Sequence, residues 1–293
     1  MPDLIRRGLT ALGLLPLLQA CSPLRVIDAL VPSDTHTRVP DQAYGPDPRQ
    51  RLDVYLPARP LPQAPIAVFF YGGSWTTGER ADYRFAGEAL ASRGIVTVVP
   101  DYRLSPAVRY PGFVRDSALA LHWAREHARE FGADPERLYV TGHSAGAYNA
   151  AMLALDPRWL GEVGLQPGQL AGWAGLAGPY DFLPIVQAET RVAFEWPDTP
   201  PDSQPLFHAQ RLRGAAPPAL LLAPQKDPLV DPRRNTEALA AALQARGVPV
   251  QHALLPRVNH ATLVATLAPP LRPLAPTLER LAGFMGVPPQ AQS

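Results

Sequence analysis

Residues 137–151 read RLYVTGHSAGAYNAA, and this stretch decides how the rest of the chain is arranged. The apolar run Leu138–Val140 predicts a short buried strand, and the alanine-rich run from Ala145 predicts a helix directly after it. The turn between them has the pattern G-x-S-x-G, whose glycines leave room for a strained backbone at Ser144. We therefore expect the Ser144 hydroxyl to point outward from the sheet edge, beside the N–H of Ala145 at a helix N-terminus.

The segments around this turn alternate between predicted strands and predicted helices. Residues 51–57 alternate polar and apolar side chains, as an outer antiparallel strand does, whereas residues 66–71 are apolar throughout, as a central parallel strand is. Further strands are predicted at 95–100, 138–140, 170–176, 219–222 and 250–255, and helices at 81–93, 111–131 and 232–246. This alternation predicts one α/β domain with a mostly parallel, doubly wound sheet flanked by helices.

The serine turn in this setting resembles that of the α/β-hydrolases, in particular the carboxylesterase and hormone-sensitive-lipase-like branch. Feruloyl-esterase-like and kynurenine-formamidase-like enzymes belong to the same branch. The resemblance covers about residues 44–283 and implies an α/β-hydrolase domain at 49–286, with an irregular cap insertion at about 156–213 and a tail at 287–293. It also implies a serine, acid and histidine in that chain order, the acid after the strand two beyond the serine strand and the histidine after the last strand.

Two residues occupy the positions that this order requires. Asp227 follows the predicted strand at 219–222 within KDPLV, and His260 follows the last predicted strand within VNHA. Asp231 is the alternative acid, but its place before Pro232 is typical of a helix cap. The remaining histidines lie in predicted strands, helices, loops or the serine turn itself: His36, His122, His127, His143, His208 and His252.

The segment YGGSW at 71–75 resembles the His-Gly-Gly-x-Trp motif of this branch, with Tyr71 where the relatives have histidine. The resemblance implies an oxyanion hole here, and we expect the backbone N–H groups of Gly73, Ser74 and Ala145 to form it. DYRL at 101–104 also resembles a motif of the family, for which we expect a structural ion pair rather than a substrate contact.

The predicted cap insertion is rich in aromatic residues and prolines, a composition that indicates binding of an apolar acyl or aryl group. Most of these aromatic side chains are expected to pack the insertion onto the domain, and Trp173 is expected in the core. The candidate substrate contacts from the whole chain are Trp75, His143, Tyr180 and Phe182.

The N-terminus has the layout of a secretory signal peptide. Arg6 and Arg7 precede an apolar stretch, Leu9–Leu18, that is too short to span a bilayer. The segment LQAC ending at Cys21 resembles the lipobox of bacterial lipoproteins, which implies cleavage before Cys21 and lipid attachment to it. Ser22 resembles the signal for the outer membrane, facing the periplasm. An ordinary secretory signal and a loose apolar N-terminus are the alternatives. Residues 21–48 are predicted to form a proline-rich tether, with a turn of helix at 24–31.

Composition narrows the classes of function. A net charge of +1 without a basic run gives no indication of a nucleic-acid partner, and a single cysteine excludes an internal disulfide or a cysteine-based zinc site.

We expect a cofactor-free and metal-free serine hydrolase that cleaves small carboxylic esters through an acyl-enzyme. Hydrolysis of amides or formamides is the close alternative, and a catalytically idle binding lipoprotein is the more distant one. The oligomeric state is left open.

Overall fold

An eight-stranded sheet forms the centre of the computed structural model, which describes Ile27 and residues 31–288. The predicted signal peptide, Cys21 and most of the helical turn predicted at 24–31 lie outside the described residues. The strands are β1 His36–Ala43, β2 Arg51–Pro57, β3 Ala64–Phe70, β4 Val96–Pro100, β5 Ala133–His143, β6 Gly172–Leu176, β7 Ala219–Pro224 and β8 Val250–Leu255.

The spatial order of the strands is β1-β2-β4-β3-β5-β6-β7-β8. β1 runs antiparallel to β2, β2 runs antiparallel to β4, and the pairings from β4 to β8 are parallel. The mostly parallel sheet predicted from the sequence is therefore confirmed. Because parallel strands bring their carboxyl ends to one edge, the loops after β3, β5, β7 and β8 meet there.

Helices flank the sheet and supply most of the connections between strands. The longer ones pack on it through alanine and leucine, and every residue of the helix after β5 is buried. The helices are α1 Arg84–Ala91, α2 Gly112–His127, α3 Ala145–Leu155, α4 Pro157–Gly161, α5 Ala188–Ala193, α6 Pro205–Arg211, α7 Ala238–Gln244, α8 His260–Ala265 and α9 Thr277–Phe284. None of the helices within the described residues combines the length and apolar character that a bilayer crossing requires.

Part of the predicted tether is in fact a strand. β1 lies within residues 21–48 and covers β2, so β2 is not the outer strand that its alternation predicted. β1 was not predicted from the sequence because Pro40 and an irregularity between Val39 and Gln42 interrupt the alternation of side chains along the strand. In addition, most of its side chains are partly exposed, so no apolar face marks the strand. Ion pairs across the strands help to hold it, including Arg38 with the buried Asp53 at 2.7 Å.

Two predicted helix starts also differ in detail. Pro111 precedes α2 rather than forming its first residue. The helix predicted at 232–246 begins with a π-helical turn, Arg233–Glu237, and continues as α7.

Candidate active site

Ser144 sits at the junction of β5 and α3 with φ 54° and ψ −120°. This left-handed backbone is disfavoured for a residue with a side chain, and it is held by an N–H bond from Ser144 to the Leu176 carbonyl at 2.8 Å. A side chain at Gly142 or Gly146 would collide with the backbone of the opposite arm of the turn or of β3. The predicted turn, with its two required glycines, is therefore present.

The structure brings His260 between Ser144 and Asp227. His260 Nε2 lies 2.9 Å from Ser144 Oγ, and its Nδ1 lies 2.7 Å from Asp227 Oδ2. When Nδ1 carries the ring proton and its N–H donates a hydrogen bond to the Asp227 carboxylate, Nε2 is free to accept the serine proton. His260 is the first residue of α8, and the side chain of Asn259 caps that helix by accepting the N–H of Thr262, which fixes the backbone at the histidine.

The two candidate carboxylates have different surroundings. Burial by itself raises the pKa of Asp227, but the hydrogen bond and charge of His260, with the N–H groups of Leu229 and Val230, lower it below its ordinary value. Asp231 accepts the N–H of Arg233 at 2.8 Å, as a helix cap does. Asp227 is thus the carboxylate at the histidine, and Asp231 has the capping contact that the sequence predicted.

The loop after β3 approaches Ser144 from the neighbouring strand. Three successive residues, Gly73, Ser74 and Trp75, have positive φ angles of 127°, 50° and 59°. Ser74 and Ala145 line the same pocket as Ser144, and their N–H groups make no hydrogen bond to another described residue. Gly73 does not line that pocket, and its carbonyl accepts the N–H groups that close the turn. Two of the three residues predicted to supply oxyanion donors, Ser74 and Ala145, therefore line the pocket beside Ser144.

Tyr71, which replaces the family's histidine, braces this loop through a buried network. Its hydroxyl donates to Asp101 Oδ1 and accepts from Arg49, both at 2.9 Å, and its ring stacks on Tyr102 with centroids 4.7 Å apart. Arg49 also donates to the carbonyl of Gly78 at the far end of the loop. Burial and the nearby Asp101 charge raise the pKa of Tyr71 well above its ordinary value, so the hydroxyl keeps its proton.

The motif at 101–104 makes the ion pairs expected of a structural element. Asp101 pairs with Arg80, and Arg103 pairs with the fully buried Asp116 at 2.7 Å. Neither pair lines the pocket beside Ser144.

A pocket of about 220 Å³ opens beside Ser144. Of the predicted substrate contacts, Trp75 and Phe182 line it, and Trp173 lies in the core as expected. The other wall residues were not predicted, because most of them lie in irregular loops without periodicity, apart from residues such as Thr190 on α5 and Arg234 in the π-helical turn. These further wall residues include Pro184, Ile185, Val186, Gln187, Thr190, Leu229 and Arg234.

Tyr180 and His143 are not pocket residues, which corrects their prediction as substrate contacts. Tyr180 is buried, with its ring nearly perpendicular to that of Trp173 and its hydroxyl against Gly175. His143 lies beneath His260, with ring centroids 4.9 Å apart, and its Nε2–H donates to the His260 carbonyl at 2.9 Å. Burial and the neighbouring His260 lower the pKa of His143 to about 3, so it stays neutral and supports the other histidine.

The residues from 31 to 288 hold no group of three or more histidine, cysteine, aspartate or glutamate side chains placed to bind a metal ion.

Comparison with known proteins identifies the family. A family model described as alpha/beta hydrolase fold matches residues 67–264. Esterase B of Lactobacillus rhamnosis has a similar structure, with a TM-score of 0.74 over 90% of this chain and 91% of that one. Its sequence identity of 22% supports the fold alone.

Curated relatives are named as esterases. Esterase LipQ of Mycobacterium tuberculosis is 30% identical over 271 residues, covering 84% of this chain and 62% of that protein. A probable isoprenylcysteine alpha-carbonyl methylesterase of Arabidopsis thaliana is 34% identical over 148 residues, covering 49% of this chain and 31% of that protein. The chain thus spans between about a third and just under two thirds of the length of these relatives. From the family match and the architecture, the chain belongs to the α/β-hydrolase fold family.

Proposed function

We propose that this protein is a serine hydrolase that cleaves carboxylic esters through an acyl-enzyme. The observation that carries the proposal is the pair of hydrogen bonds at His260, 2.9 Å to Ser144 Oγ and 2.7 Å to Asp227 Oδ2. Activation by a base that is itself oriented by a carboxylate is what a serine hydroxyl needs at neutral pH. The esterase names of the relatives support ester cleavage.

In the first half of the reaction, His260 Nε2 takes the Ser144 proton while Oγ attacks the ester carbonyl. The N–H groups of Ser74 and Ala145 stabilise the negative oxygen of the tetrahedral intermediate. His260 then gives its proton to the departing alcohol, which leaves the acyl group on Ser144. Asp227 stabilises the charged imidazole and keeps Nδ1 protonated throughout.

Water completes the cycle by the same groups. His260 takes a proton from a water molecule, the resulting hydroxide attacks the acyl carbonyl, and the second tetrahedral intermediate collapses as Ser144 regains its proton from His260. The acid is released and the site returns to its starting state.

Labelling with a fluorophosphonate probe tests this function without knowledge of the natural substrate. The full chain, purified in mild detergent, is compared with Ser144→Ala, and the modified peptide is identified by mass spectrometry. We expect one modification, on Ser144, that is absent from the variant. A folded wild-type protein that the probe does not label would favour the catalytically idle binding lipoprotein instead.

A second measurement separates esterase from amidase or formamidase activity. The values of kcat/KM are compared for aryl esters and aryl amides that share the same acyl group.

We further propose that the protein is exported, cleaved before Cys21 and anchored by lipid to the bacterial envelope, at an outer membrane on its periplasmic side. The basic segment, the apolar stretch and LQAC support this location. Radiolabelled palmitate should enter the wild-type protein and not Cys21→Ser. Equal incorporation into both proteins would contradict the anchor.

A further inference from the structure

The two proposed oxyanion donors belong to different parts of the fold. Ser74 lies in the loop after β3, whereas Ala145 begins α3. Stabilising an oxyanion requires both N–H groups to point at one oxygen, so the distance between loop and helix must be fixed. Strain at Ser74 and Trp75, both with positive φ, favours relaxation of the loop unless another contact holds it.

Trp75 supplies that contact from inside the protein. Its indole Nε1–H donates to Asn149 Oδ1 at 3.0 Å, and its carbonyl accepts the N–H of Ser105 at 2.8 Å. The ring is only 2% exposed although it borders the pocket. It lies within an aromatic cluster whose ring centroids are 4.7–5.9 Å from its own: Phe113, Tyr148, Phe182 and Phe194.

Asn149 is on α3, five residues after Ser144, and its side chain is fully buried. Ser117 donates its hydroxyl proton to the Phe113 carbonyl and therefore accepts from Asn149 Nδ2 at 3.1 Å. This arrangement orients the amide so that Oδ1 faces Trp75. The helix that carries Ala145 is thus hydrogen-bonded to the residue that follows Ser74.

We propose that Trp75 and Asn149 are positioning residues, which together set the separation of the Ser74 and Ala145 N–H groups. The proposal rests on the proposed hydrolase function and assigns Trp75 a role other than substrate recognition. Asn149 does not line the pocket, so its effect on the reaction passes through Trp75. Since the oxyanion forms only during the reaction, loss of this link lowers kcat and leaves KM nearly unchanged.

The test uses Asn149→Leu, which keeps the size of the side chain and removes the acceptor, and Trp75→Phe, which keeps an aromatic ring and removes the donor. Both are made in the full chain. One oxyanion donor is typically worth about 10²- to 10³-fold in rate, so we expect a displaced donor to cost at least about tenfold in kcat. KM should change less than about twofold, and the double variant should lose little more than either single one.

Thr35→Val is the matched control, because Thr35 donates to the buried Glu88 at 3.0 Å beside the edge strand β1, four places from β5 in the sheet. It should lower the melting temperature without lowering kcat. If Asn149→Leu and Trp75→Phe behave like this control, the inference is overturned. If Asn149→Leu does not fold, Trp75→Phe decides.

The same samples are treated with the fluorophosphonate probe. An unlabelled wild-type protein refutes the proposed function itself, whereas labelling of the variants at the wild-type rate refutes only the positioning role.

Discussion

Two parts of the candidate site differ in burial and in hydrogen bonding. One is the reactive edge of the sheet, with Ser144, Asp227 and His260, and the other is the rim of the pocket, with Val186 and Leu229. At the edge, each side chain of the proposed triad has a polar partner, and Asp227 is almost completely buried. At the rim, Val186 and Leu229 line the pocket yet are 79% and 59% exposed. Changes at the edge should therefore abolish the chemistry, whereas changes at the rim should alter only which esters are preferred.

Removal of the nucleophile or the base is the most severe change at the edge. For Ser144→Ala and His260→Ala we expect kcat to fall by about 10⁶-fold, because neither remaining partner can replace the missing step. Hydrolysis of an aryl ester measures this loss, and circular dichroism checks that each variant is folded. A variant that keeps more than about a thousandth of the wild-type rate would contradict the assignment.

Asp227 and Asp231 lie four residues apart, and one substitution in each separates their roles. Asp227→Asn should lower kcat by about 10⁴-fold, because an amide no longer holds the proton on His260 Nδ1. Asp231→Asn should change kcat by only a few fold, since asparagine also accepts the N–H of Arg233. Equal losses in the two variants would show that the carboxylate has been assigned wrongly.

His143 links the reactive edge to acid stability. Burial and His260 lower its pKa from 6.5 to about 3 in the folded protein. Between these pH values the unfolded chain binds a proton here and the folded protein does not. The free energy of unfolding therefore falls as the pH drops through this range, by up to about 1.4 kcal/mol per pH unit.

His143→Gln removes this titration, and glutamine still has an N–H that can donate to the His260 carbonyl. We expect the variant to gain stability relative to wild type between pH 6.5 and pH 4, as measured by urea unfolding. Parallel stability curves for the two proteins would exclude a buried neutral histidine.

The rim should give the smallest effect. Since the pocket borders Ser144, Ser74 and Ala145 but not His260, we expect it to hold the acyl part of the ester. Val186→Ser should reduce kcat/KM for octanoyl esters by about three- to tenfold and leave acetyl esters nearly unchanged, because only long chains reach the rim.

Val192→Ser is the control for the rim, since Val192 is also exposed, at 44%, but does not line the pocket. Esters of one alcohol with acyl chains of increasing length provide the measurement. A uniform loss at every chain length would place Val186 outside the acyl path.

The reactive edge was predictable because its residues carry strong local signals. Ser144 lies in a turn that requires glycines on both sides, and the chain order that the α/β-hydrolase resemblance implies directs the search to Asp227 and His260. Of the strands around them, β3 and β7 are apolar throughout, and β5 has the apolar run Leu138–Val140 shortly before the turn. The sheet then brings together residues that lie 116 positions apart along the chain.

The missed features depend on partners that local sequence does not show. β1 became a strand because β2 offers it an edge to pair with, although Pro40 interrupts its pattern. His143 and Tyr180 carry groups suited to substrate binding, but packing turned both inward. His143 packs against His260, which lies 117 positions away in the sequence, and Tyr180 packs against Trp173.

The sequence by itself determined the α/β order and the serine turn, because both depend on residue type and local period. Asp227 and His260 were predicted as acid and base only together with the chain order that the α/β-hydrolase resemblance implies. Only the tertiary structure decided which side chains face the pocket, how Tyr71 braces its loop and that Trp75 meets Asn149. These depend on side-chain packing and hydrogen bonds between distant segments, where the lowest free energy is set by all partners at once.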